Sequence, residues 1–156
     1  MTRKSALFIA ISIAVLCAAA LGVALSSASK TGGRMLVFSE HDERGNFALD
    51  DLGAKSTQGP DIGDVLAFTH VLKAQGRTAG VIHLSAIGVD HRRHLTEANG
   101  TVVLRNGTID VAGVVPQSPL FSLAVVGGTG AYVGARGTLT VSTPAHTSTI
   151  TIALAP

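Results

Sequence analysis

Few side chains in this sequence have the chemistry of a reactive site, and they sit in a few places. Glu40, His41 and Asp42 are consecutive, His70 and His83 each interrupt an apolar run, and Tyr132 is the single tyrosine. A carboxylate or an imidazole beside an apolar surface can take or give a proton. A phenol or imidazole can also donate a hydrogen bond to charge that develops on a small molecule. Acid–base chemistry on a small ligand is therefore what Glu40, His41 and His70 could do together. The alternative for Glu40, His41 and Asp42 is a solvated strand end before a polar loop.

Other striplings of polar residues lead elsewhere. His91-Arg92-Arg93-His94 resembles a metal motif, but two arginines repel a cation, and strand positions three apart face opposite ways. It reads as a solvated loop. Asp50-Asp51, Asp61 and Asp64 read as turn residues rather than a calcium loop. The segment Gly127-Gly128-Thr129-Gly130-Ala131-Tyr132-Val133-Gly134 suggests a phosphate loop, but counted from Gly128 the third glycine of a GxGxxG would be Val133. No helix is expected after it to present its N-terminus to a phosphate. No metal site, nucleotide site or other cofactor is expected.

The elements that must position these residues are strands. After residue 30, short apolar runs recur between Gly, Asn and Pro. They predict strands over Met35–His41, Asp64–Leu72, Ala79–Gly88, Thr101–Leu104, Thr108–Val114, Leu120–Val126, Gly137–Thr143 and Thr147–Leu154, with a weaker one near Leu95–Ala98. Arg105-Asn106-Gly107 predicts a tight hairpin, and Asn99-Gly100 predicts another turn. Glu43–Gly63 is polar and reads as one long connection. Short connections imply antiparallel neighbours. Eight or nine short strands must hide their edges, and closure into a barrel does so completely. The fold class expected is all-β, a closed eight-stranded antiparallel barrel. Leu66, Phe68, His70 and Leu72 share one face of their strand and Val65, Ala67, Thr69 and Val71 the other. A strand apolar on both faces is packed on both sides or faces an apolar lumen.

The chain has 156 residues, and its start has a different character. Arg3 and Lys4 precede an apolar run over Ala6–Leu25, followed by Ser26-Ser27-Ala28. This is the pattern of a secretory signal peptide cut after Ala28, which divides the chain into a leader, 1–28, and a barrel domain, 29–156. A retained membrane anchor through residues 6–25 is the alternative, since the run is long enough to span a bilayer. Lipid attachment at Cys17 is a third reading. Without Arg3 and Lys4, the domain's ten basic side chains balance its ten acidic ones. A neutral domain gives no electrostatic case for nucleic acid. The only cysteine lies in the leader, so neither disulfide nor thiol chemistry is expected in the domain.

Several segments resemble one family. Val126-Gly127-Gly128-Thr129-Gly130 through Ala135-Arg136-Gly137 is similar to the glycine signature of the allene oxide cyclase and dirigent barrels, including exported bacterial relatives. Gly63-Asp64-Val65-Leu66-Ala67-Phe68-Thr69, Asn106–Gly113 and Arg44-Gly45 resemble other family segments in the same order. The likeness spans Met35 to Leu154. It implies an eight-stranded barrel, a homo-oligomer (dimer or trimer) and an apolar lumen into which Glu40 or His41 and His70 would face. Plant allene oxide cyclases carry Glu and Asn two apart on the first strand; Phe38 and Glu40, or Ser39 and His41, stand there instead. His70 and Ile82 occupy the places of a family Asn and Cys, and Ala131 that of a dirigent acid.

Together these observations predict a barrel that binds a hydrophobic small molecule and steers its cyclisation or isomerisation. The resemblance also reaches ring-forming enzymes of polyketide pathways. Glu40, His41 and His70 are the expected catalytic residues; Phe38, Phe68, Ile82 and Tyr132 are the expected ligand-binding ones. An exported carrier without catalysis, or a structural oligomer with a filled lumen, is the competing expectation.

Overall fold

Ten elements follow one another along the chain in the computed structural model, which describes residues 33–41, 47–50, 61–144 and 147–156. They are β1 (Arg34–His41), β2 (Phe47–Asp50), β3 (Val65–Ala74), β4 (Arg77–Asp90), β5 (Leu95–Leu104), β6 (Gly107–Pro116), β7 (Leu120–Gly128), a 3-10 turn (Gly130–Tyr132), β8 (Gly137–Ser142) and β9 (Thr147–Leu154). The expected leader, with the apolar run over 6–25, lies outside the described residues. Among those described, no helix is long and apolar enough to cross a membrane.

Neighbouring strands pair antiparallel from β3 through β9, and β9 pairs with β1 over its whole length. β1 then pairs with β3 at Ser39↔Lys73, which closes the sheet. β1 and β3 to β9 thus form a closed eight-stranded antiparallel barrel. β2 lies along the rest of the β3 edge, Phe47↔Phe68 to Asp50↔Val65. Its presence corrects the reading of Glu43–Gly63 as one connection: Phe47-Ala48-Leu49 is apolar enough to pair, but too short for its period to stand out between Gly and Asp. The edge of β3 is therefore shared. Between its pairings with β1 and β2, residues 69–72 have no cross-strand partner on that side among the described residues.

The period-2 alternation of the strands sorts side chains inside and out. β4 shows it most plainly: Ile82, Leu84 and Ala86 are buried while His83, Ser85 and Ile87 are exposed. Leu72, Ile82, Val102, Ile109, Leu139 and Ile152 are all at 0% exposure. Each such side chain contributes roughly 1.5–3 kcal/mol of burial, so the filled interior is the main source of stability.

The Arg105-Asn106 turn joins β5 to β6, with Leu104↔Gly107 closing the hairpin. Asn99-Gly100, however, is not a turn. It lies mid-strand in β5, paired with Ser85 and Leu84 on one side and Ala112 and Val111 on the other. A Cβ at Gly100 would come within 2.6 Å of the His83 carbonyl oxygen, so the glycine serves close strand approach instead of chain reversal.

The glycine-rich segment turns the chain at one end of the barrel. Gly130 has φ +58 and starts the short 3-10 turn that seats buried Tyr132. Gly130→Ala places a Cβ in a left-handed conformation and against the Asn106 carbonyl. The expected cost is about 1–3 kcal/mol, read as a fall of about 5 °C or more in a thermal melt. Arg136 Nη1 donates to the Val126 and Ala135 carbonyls at 2.8 and 2.7 Å.

Candidate functional site

Glu40 ends the inward row Leu36, Phe38, Glu40 of β1, and His70 follows Phe68 in the inward row of β3. They are thirty residues apart, and the closing seam brings them together. Glu40 lies one step beyond Ser39, the residue that pairs with Lys73. His70 lies in the stretch of β3 between its two edge partners. Its Nδ1 is 2.7 Å from Glu40 Oε1, with the side chains 14% and 11% exposed. The two groups touch, but the ring does not direct an N–H along the line to that oxygen. With Nδ1 against the carboxylate, Nε2 is the ring nitrogen left for a ligand.

Apolar walls surround the pair. Phe68, Leu84, Phe121, Val141 and Ile150 line a cavity of about 250 Å³ with Glu40 and His70. The His70 ring meets Phe68 edge-on, centroids 5.2 Å apart. Thr143 and Ser148 add two hydroxyls, bonded to each other at 2.8 Å. Ser148 is the cross-strand partner of Glu40. The arrangement is a carboxylate–imidazole contact at the inner edge of a small, mostly apolar pocket.

The other expected site residues are distributed differently. Phe68 lines this cavity. Phe38 and Tyr132 line a separate cavity at the opposite end of the barrel. Ile82 is fully buried and lines neither end cavity. The side chain of His41 and all of Asp42 lie outside the described residues. His83 points outward and bonds Thr69 Oγ1 through Nδ1 at 2.9 Å. His91 Nδ1 contacts Asp61 Oδ1 at 2.6 Å, and the Asp61 amide donates to Asp64 Oδ2 at 2.8 Å, so Asp61 and Asp64 brace a turn. Among the described residues, no group of three or more potential metal ligands converges.

The sequence alone does not single out Thr143, Ser148 or Phe121 as lining residues. The available signal was the inward row Ser148, Ile150, Ile152, which sets a hydroxyl in line with buried side chains.

A family model described as the allene oxide cyclase barrel-like domain matches residues 43–154. The chain belongs to this family. Among solved structures, a pyocyanin demethylase superposes with a TM-score of 0.68 at 25% identity, over 78% of this chain and 99% of its own. A pterocarpan synthase dirigent protein gives 0.64 at 15% identity, over 81% and 86%. A Diels–Alderase from Streptomyces koyangensis gives 0.54 at 14% identity, over 80% and 70%. At 14–15% identity the last two are likenesses of fold. No curated protein matches the sequence. The family barrel thus has its single described carboxylate–imidazole contact of the lumen at Glu40 and His70, on the strand edge where β1 and β2 part.

Proposed function

We propose that this barrel is an enzyme acting on a small hydrophobic molecule, in which Glu40 and His70 exchange a proton with the bound ligand and so steer an isomerisation or ring closure. The observation that carries this is the 2.7 Å contact of the two groups inside an apolar cavity. Burying a carboxylate and an imidazole in such surroundings is costly unless they are paired, and the rest of the lumen needs neither for packing. The cavity holds the ligand and restricts its shape, which is proximity catalysis. Glu40 and His70 supply the acid and the base. The Thr143–Ser148 hydroxyls stand beside Glu40 to meet charge that develops on the ligand.

The names of the neighbours support the same class of chemistry. A Diels–Alderase closes a ring, the dirigent neighbour is a pterocarpan synthase, and the demethylase acts on pyocyanin. Phe68 and Phe121 suit an aromatic or polyene ligand. At about 250 Å³ the cavity lies just below the usual range of ligand pockets, so the ligand is compact. Export behind the leader remains part of this proposal, as does a homo-oligomer. Val37, Ile87, Val114 and Val126 are exposed large apolar side chains on the outer face and support association.

Native mass spectrometry of the protein purified from its own source, followed by denaturing analysis, tests the reading. A stoichiometric apolar adduct that the protein converts to an isomer is the expected result. An adduct recovered unchanged after prolonged incubation would make the barrel a carrier. A chain that is empty and takes up no apolar probe would overturn the ligand site altogether.

A further inference from the structure

The cavity at the far end of the barrel has a chemistry of its own. It measures about 310 Å³, and it shares no lining residue with the Glu40–His70 cavity. Leu36, Phe38, Ala79 and Leu104 form its apolar floor. Its rim holds Arg34, Arg105, Asn106 and Tyr132, and no acidic side chain lines it among the described residues. One end of the lumen thus presents a carboxylate and an imidazole, the other two guanidinium groups.

Among the described residues, Arg34 has no acidic partner. Its guanidinium carbon lies 5.2 Å from the Tyr132 ring centroid, and Nη2 is 3.5 Å from the Tyr132 hydroxyl. The first is a cation–π contact; the second is at the long limit of a hydrogen bond. Nε is buried with no hydrogen-bond partner. A buried, unsatisfied polar atom on a charged group is costly, and it is rare enough to need a reason. A carboxylate suits this guanidinium in chemistry and in shape, because its parallel N–H donors match two oxygens.

We propose that this end of the barrel is a second binding site, which takes a small organic carboxylate with an apolar body. The carboxylate meets Arg34, with Arg105 adding positive charge at the rim. The apolar body lies over Phe38 and Leu104. Tyr132 closes one side and holds the guanidinium in place through its ring. The site stands independently of the acid–base reading of Glu40 and His70, since it involves neither residue.

The composition of the chain supplies a local reporter. It has one tyrosine and no tryptophan, so intrinsic fluorescence reports Tyr132 alone. Titrating the purified protein with octanoate is expected to change that emission saturably. Octanoate should bind about 10-fold or more tighter than 1-octanol, which has the same chain and no charge. Arg34→Met should abolish this preference, and Arg34→Lys, which keeps the charge without the paired donors, should retain part of it. If Arg34→Met does not fold, Arg105→Gln tests the rim charge from an exposed hairpin, and should lower octanoate affinity while leaving octanol unchanged. Equal binding of octanoate and octanol would overturn the anion site. So would the absence of any saturable change in Tyr132 emission.

Discussion

Glu40→Gln is expected to lower turnover of the proposed ligand by about 100-fold or more, the usual range for loss of a positioned acid or base, while the protein stays folded. Gln has the shape of Glu and can still meet the imidazole, but it cannot accept a proton. His70→Asn is expected to match it, and the double variant to lose little more than either single one, because the two act as a unit. The competing account makes Glu40 and His70 a structural pair across the barrel seam. Removing one partner of a buried pair would then cost about 3–5 kcal/mol, with a fall in melting temperature of about 10 °C or more. The two accounts thus predict opposite patterns. Catalysis predicts lost turnover per folded molecule, whatever the thermal shift; a purely structural pair predicts a large thermal shift with turnover kept below the melting temperature. Measuring steady-state kinetics and thermal melts on the same preparations separates them. Unchanged turnover in both variants would remove acid–base chemistry from the barrel.

What could be seen of this site beforehand depended on how local each feature is. Side-chain alternation within a strand is local, and it correctly gave most of the strands and a closed barrel. The Asn106-Gly107 hairpin was legible for the same reason. Asn99-Gly100 has the same local signal and the opposite outcome. Pairing on both sides of β5 keeps it extended, so tertiary context overrides turn preference there. β2 was hidden because four residues hold too little pattern to be recognised. The contact of Glu40 with His70 could be suspected from residue type alone, but not located, because it depends on which strand edges meet when the barrel closes. Tyr132 shows the converse. Its residue type suggested the same ligand site, yet the 3-10 turn carries it to the far end, beside Arg34.

Ile82→Ala separates packing from ligand contact within the lumen. Ile82 pairs across strands with His70 on one side and Val102 on the other, which makes it look like a wall of the active cavity. Its exposure is 0%, however, and neither end cavity touches it. It belongs to the apolar fill, with Leu72, Val102, Ile109, Leu139 and Ile152, and that fill keeps the acid–base end apart from the arginine end. Truncation to Ala removes buried carbons that a closed barrel has little freedom to replace, so the cost is expected to be about 2–5 kcal/mol. In a domain of this size, that is a fall of about 10 °C or more in melting temperature. The space left is apolar and dry, as such cavities are. A small apolar molecule such as benzene should therefore enter it and restore part of the lost stability, since any ligand that binds only the folded state raises the melting temperature. Phe121→Ala is the contrast. Phe121 is half-buried and already borders the acid–base cavity, so its loss should cost less stability and change ligand affinity more. An Ile82→Ala protein that melts like the parent would mean that the barrel relaxes around the gap, and that the two ends of its lumen are not held apart by rigid packing.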